Sequence, residues 1–365
     1  MQRIIGFVFF WCFLNSAASA ATIYPLDRAT ILAGSPFDFK VELDGHYTAG
    51  DIKVRVNGRD YADILGKHAQ YIFAEKAENG TDLGSALIMR DCVLAPAGAY
   101  EVQVSAGDER KTVTWQVYQA SSRPKVKNVI FFLGDGMSIA HRTGARIMSK
   151  GMSSGKANSH LHMDTLDTMA LIGTSATDSI ANDSAHTMSA YMTGHKAAVK
   201  SLGVYADRTP DTLDDPRVET LAEALRRTGK KSLGIVTTAE VVDATPAAVV
   251  SHTRTRDDKV EITDMLLKAQ PDILLGGGSA YFLPQQAAGS KRKDNKDYIR
   301  EFRAKGYKLA TTKTELEALN THNQGKILGL FHTSHLDTPL DRLQLKKGGV
   351  RTFPDQPGLV DMTRV

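Results

Sequence analysis

From residue 22 to about residue 119, apolar positions recur at every second residue. PFDFKVEL places Phe37, Phe39, Val41 and Leu43 on one face of a strand. Ile52, Val54 and Val56 alternate in the same way, and Asn57-Gly58 ends that strand with a hairpin signal. Tyr100, Val102 and Val104 repeat the pattern, followed by a turn at Ala106-Gly107-Asp108 and then Val113, Trp115 and Val117. Several short strands at turn-punctuated spacing, with almost no helical period, predict a β-sandwich of immunoglobulin-like type. The Cys/Trp markers of that type are absent, so only the architecture is predicted.

After a polar linker at 120–127 the texture changes. Residues 129–133 form a continuous apolar run suited to a buried strand, and 139–149 suit a helix. Asp215-Pro216 predicts a helix start, with Asp215 as N-cap and Pro216 at the first position. Val218, Leu221, Ala222 and Leu225 then share one helical face, and Gly229 is placed to end it. Strands are expected at 233–236, 273–275 and 327–331, with a helix marked by Ile262, Met265 and Leu266. Alternating strands and helices predict an α/β domain: a mostly parallel sheet with helices on both faces. The expected organisation is 1–20, 21–119, linker 120–127 and 128–365.

Residues 1–20 do not read as fold. Arg3, an apolar run at 4–14 and Ala18-Ser19-Ala20 make a secretory signal peptide with cleavage near Ala20. The apolar run is too short to span a bilayer, so the mature protein is expected to be secreted or periplasmic. Cleavage leaves Cys92, in an apolar stretch that predicts a buried core thiol. The net charge of +4 is spread along the chain, which argues against a nucleic-acid partner.

In parallel sheets, sites gather beyond the carboxyl ends of strands. Three such places carry pointed chemistry. FFLGDGMS fixes Asp135 between glycines, as a divalent-cation ligand or equally as a turn aspartate. Asp183-Ser184 precedes a helix-compatible stretch closing near Gly194. Ser184 at a helix N-terminus would favour an alkoxide and a phosphate, and a metal can activate it. Alone, either residue reads as an N-cap. VTTAEVVDATPAAVVSHTRTR offers Asp243 and Thr245 as hard oxygens for magnesium and Arg256 as a planar fork for phosphate.

The combination and order of GDGM, DSA leading into TGHK, and TTAE-x-x-DATPAA-x-x-x-H-x-x-x-R resemble the alkaline phosphatase family. The likeness continues through SLGVYAD, DILLGGG, GYKLATT and KILGLF, from about residue 125 onward. The resemblance implies hydrolysis of small phosphate monoesters at two zincs and a magnesium. Asp135 then bridges zinc and magnesium, and Ser184 is the zinc-bound serine that is phosphorylated and released. Thr245 is a magnesium ligand, Asp243 holds magnesium through water, Arg256 clamps the phosphate, and Asp183 positions Arg256. Family members are often dimers, so a homodimer is a possible assembly.

The family's remaining ligands are a glutamate, an Asp-x-x-x-His pair, an Asp-His pair and a final histidine. None is recognisable here. The resemblance therefore predicts that this chain alone holds no working zinc pair and is inactive alone, with a non-catalytic secreted binding protein as the alternative. His332/His335 and His160/His162 have metal-binding spacings but miss the family positions, and they are expected to be loop histidines. His186, two residues after Ser184, is a departure without assigned role. His195 is expected to face a helix C-terminal dipole. The sulfatase x-P-S-R motif is missing, and a serine nucleophile argues against a phosphodiesterase.

Overall fold

The strand written PFDFKVEL forms as expected and is buried on both faces. We analysed a computed structural model that describes residues 21–123, 125–229, 231–319, 325–346 and 352–364. It divides into two compact units. One runs to Gln119 and includes Arg208–Pro210; the other comprises Ala120–Asp207 and Asp211–Val365. The predicted signal peptide lies outside the described residues.

In the first unit, β1 (Thr22–Tyr24), β3 (Pro36–Glu42), β7 (Asp82–Val93) and β6 (Gln70–Lys76) form one antiparallel sheet in the order β1-β3-β7-β6. A second sheet has the order β2-β9-β8-β4-β5, built from β2 (Thr30–Leu32), β9 (Glu109–Tyr118), β8 (Gly98–Ala106), β4 (Lys53–Val56) and β5 (Arg59–Asp60). A short helix, α1 (Tyr61–Leu65), follows β5. The sheets face one another across aromatic side chains. Trp115 of β9 meets Phe37 and Phe39 of β3 edge-on, at 5.6 and 6.1 Å between ring centres. Cys92 is buried among these strands, and burial pushes its thiol up to about 12.

The other face of β3 is polar, yet also buried. Asp38, Lys40 and Glu42 are at most 5% exposed. Lys40 Nζ lies 2.7 Å from Glu75 and 3.1 Å from Glu42, Asp38 pairs with Arg90 at 2.7 Å, and Arg208 Nε reaches Glu75 at 2.7 Å. Ion pairing makes this burial tolerable, since isolated buried charges are strongly disfavoured.

The second unit is built on a parallel sheet in the order β12-β13-β15-β14, with β12 (Gly234–Glu240), β13 (Ile273–Gly277), β15 (Lys326–Leu330) and β14 (Tyr307–Ala310). Adjacent strand residues point to opposite faces. Leu274 and Leu328 pack with Ala222 of α4 (Leu221–Gly229), with Ile262 and Leu266 of α6 (Lys259–Ala269), and with Phe302 of α7 (Tyr298–Ala304). Leu275 and Ile327 instead pack with Leu316 of α8 (Lys313–Ala318) and Met362 of α9 (Leu359–Thr363). Helices therefore cover both faces, and the unit is α/β. A side chain on Gly277 would sit 1.9 Å from the Ser334 carbonyl, so the glycine run lets a loop press on the end of β13.

Two expectations fail. Residues 129–133 form no strand: Ile130 and Phe132 are 78% and 79% exposed. Apolar character makes a segment fit for burial, but a strand also needs a neighbour's hydrogen bonds, and the described sheet does not include this one. The helix expected from Asp215 begins instead at Leu221. There Thr220 Oγ1 accepts from Glu223 N, and Glu223 Oε2 accepts from Thr220 N. This reciprocal cap was written in Thr-Leu-Ala-Glu. Asp215 is buried and accepts from Asp207 N at 2.7 Å. The expected helix over 139–149 forms as α2 (Ile139–Lys150), beside a small hairpin of β10 (Met152–Ser153) and β11 (Lys156–Ala157).

Candidate active site

Ser184 opens α3 (Ser184–Thr193), with Asp183 as its N-cap and Gly194 in the left-handed conformation at its end. The cap follows from the sequence, because Asp183 accepts from His186 N at 3.4 Å and satisfies one free helix N–H. Ser184 Oγ is thereby held in the first turn, at the positive end of the helix.

Two more segments converge on this hydroxyl. Asp135 sits in a turn closed by Met137 N donating to Gly134 O, where Gly136 takes a φ of 66° that disfavours side chains. After β12 the chain turns at Asp243, the N-cap of α5 (Ala244–Ala247), which presents Thr245. Ser184 Oγ donates to Asp135 Oδ1 at 2.8 Å, and Thr245 Oγ1 donates to Asp135 Oδ2 at 2.7 Å. One carboxylate thus joins both hydroxyls. A cleft of about 560 Å³ is lined by these three residues together with Asp183, Thr187 and Tyr191.

Arg256 lies between two carboxylates. Its Nη1 is 3.4 Å from Asp183 Oδ2, and its Nη2 is 2.7 Å from Asp243 Oδ1. Burial alone would raise both carboxyls. For Asp183, hydrogen bonds from His186, Lys200 N and Arg256 outweigh burial and hold it below its ordinary value. For Asp243, Arg256 does the same. The guanidinium is correspondingly raised despite its own partial burial. The loop before Arg256 is pinned by His252, whose Nδ1 faces Gly203 O at 2.9 Å and whose Nε2 faces Glu223 at 3.0 Å.

Of the six residues singled out in the sequence, Asp135, Ser184 and Thr245 form one hydrogen-bonded group and Asp183, Asp243 and Arg256 a second, the two adjoining in the chain at Asp183-Ser184. The second group includes a residue left without a role. His186 is buried, with Nδ1 2.8 Å from Asp183 Oδ1 and Nε2 3.0 Å from Thr174 O. Its signal was a histidine in the first turn of the helix, at the N3 position of a capping box. His335 Nδ1 accepts from Glu240 N, His332 Nδ1 accepts from Ser334 N, and His195 Nδ1 lies 2.6 Å from the Tyr205 hydroxyl.

The alkaline phosphatase family model matches residues 126–365. The chain belongs to the alkaline phosphatase family. Among its relatives is the tissue-nonspecific alkaline phosphatase of Gallus gallus, 33% identical over 250 residues, covering 59% of this chain and 48% of that protein. The streptomycin-6-phosphate phosphatase of Streptomyces griseus is 32% identical over 275 residues, covering 69% and 54%. The cold-active alkaline phosphatase of a Shewanella species is 27% identical, with a TM-score of 0.46, covering 56% of this chain and 46% of that one. The chain spans about half the length of the curated relatives it matches.

The family implies metals, and the donor chemistry discriminates between them. Asp135, Asp243 and Thr245 offer only hard oxygens, which suits magnesium, an ion that keeps several waters and takes one or two carboxylates. A zinc pair needs about three protein ligands per ion, commonly with nitrogen or sulfur among them. Among the described residues no group of three or more His, Cys, Asp or Glu side chains is arranged to hold a metal ion.

Proposed function

We propose that this site hydrolyses small phosphate monoesters through a phosphoserine formed on Ser184. The observation that carries the reading is the meeting of Asp135, Ser184 and Thr245 in one hydrogen-bonded set, with Arg256 tied to Asp183, the residue before Ser184, and to Asp243. Arg256 offers two parallel donors to non-bridging phosphate oxygens, and the first turn of α3 adds backbone N–H groups. Ser184 Oγ attacks phosphorus as the bond to the leaving oxygen breaks. Asp135 Oδ1, which accepts the serine hydrogen bond, is positioned to take the proton. The leaving oxygen takes a proton from solvent; water then attacks the phosphoserine and gives up a proton to solvent as the P–Oγ bond breaks, and Ser184 Oγ regains its hydrogen from Asp135. Asp135, Thr245 and Asp243 would hold magnesium, which when bound would neutralise phosphate charge.

The same reading takes residues 1–20 as a cleaved export signal, which N-terminal sequencing of exported protein would test. It takes the first unit as an immunoglobulin-like module, and a homodimer as the assembly. Among the described residues no helix is long and apolar enough to cross a membrane.

The test is hydrolysis of an aryl phosphate at alkaline pH with added zinc and magnesium. Ser184→Ala should lower turnover at least about a thousandfold, as loss of a covalent nucleophile does. Equal turnover in the variant would overturn the proposal. Phosphate binding without turnover in either protein would favour the non-catalytic binding protein instead.

A further inference from the structure

An N-cap aspartate needs only backbone donors, and Asp183 has more than that. Its Oδ1 accepts from His186 N at 3.4 Å and from Lys200 N at 3.3 Å, both long. The short contact, 2.8 Å, is to Nδ1 of the His186 ring, which also lies 3.4 Å from Asp183 N. That ring is 2% exposed and its Nε2 faces the Thr174 carbonyl at 3.0 Å. Held there, it cannot turn without breaking a buried hydrogen bond. The carboxylate is thus oriented with Oδ2 toward Arg256 Nη1.

From this chain of contacts we infer that His186 is a positioning residue. Acting through Asp183, it sets the direction of the Arg256 fork. Without the ring, Asp183 Oδ1 keeps its two long backbone bonds and Oδ2 its 3.4 Å contact with Arg256. Arg256 is then steered chiefly by Asp243, at 2.7 Å from Nη2, and its Nη1 loses an oriented partner at Asp183, the residue before Ser184. A ring serving only to fill the core would make a smaller apolar side chain acceptable and leave Arg256 undisturbed. The inference rests on the phosphatase reading, because it assigns Arg256 to phosphate.

The experiment is calorimetric titration with inorganic phosphate, at fixed magnesium and zinc, of the whole chain and three variants. Arg256→Ala should abolish measurable binding. His186→Ala should weaken binding about tenfold, the scale of losing one charge-assisted contact. His186→Asn places an amide donor where Nδ1 stood and should recover affinity to within about threefold. Equal affinity in His186→Ala and the parent chain would overturn the inference, as would failure of Asn to restore affinity in a variant with parental circular dichroism. If the parent chain binds no phosphate, the phosphatase reading fails. A double-mutant cycle of His186→Ala and Arg256→Ala on urea unfolding then decides the inference by itself. Non-additive effects would support the coupling, and additive ones would sink it.

Discussion

Asp215 is fully buried, and burial pushes its carboxyl from 3.8 up to about 7, although Asp207 N donates to it. The folded state therefore holds a proton that the unfolded chain has released between those values. Stability linked to this group is fully present below about pH 4, falls as pH rises toward 7, and is level above that. Asp215→Asn keeps the acceptor for Asp207 N and removes the titration. The variant should show no loss from this source and should gain up to roughly 4 kcal/mol over the parent at pH 8. Urea unfolding of both proteins at pH 5 and pH 8 measures this, and parallel pH trends would contradict it. The sequence suggested a helix cap here, since Asp before Pro is the ordinary N-cap signal. The cap lies instead at Thr220, because the segment before it pairs Val204 with Arg217 and leaves Asp215 inside. His186 illustrates the same limit: its identity was visible, but its reach to both Asp183 and Thr174 was not.

At the level of elements, period and punctuation were reliable where the neighbours of an element were also present. α3 begins and ends where Asp183 and Gly194 stand, since a cap is a local interaction. β3 was correct as a strand, but its alternating polar positions are not a solvent face. Lys40 lies between Glu42 and Glu75 inside the first unit. Lys40→Met should leave Glu42 and Glu75 buried without the Lys40 ammonium, and should destabilise that unit by about 3 kcal/mol. Trp115 fluorescence during urea unfolding reports on it, because the indole is buried between the sheets and donates to Pro25 O at 2.8 Å. An unchanged midpoint would show that the pair contributes little.

Across the whole molecule, the exposed apolar stretch at 129–133 is the feature most at odds with its own composition. Val129, Ile130 and Phe132 are each more than 60% exposed, and contiguous apolar surface drives association. Ile130→Lys combined with Phe132→Glu should reduce concentration-dependent self-association in light scattering. The same changes should move the unfolding midpoint by less than about 0.5 kcal/mol, as exposed substitutions do. A large loss of stability would mean that the segment is packed in solution.

The sequence by itself determined the class of each unit, because alternation and apolar runs follow strand and helix geometry. It also singled out the candidate site residues, because their hydroxyl, carboxylate and guanidinium groups stand in local motifs that resemble those of the family. What only the tertiary structure decided is which groups meet. Asp135 touches Ser184 and Thr245 across 49 and 110 residues of chain, and Arg256 reaches Asp183 across 73. The burial of Lys40, the protonation of Asp215 and the grip of His186 are likewise properties of an environment. Such environments arise only when distant segments pack, and no local pattern records them.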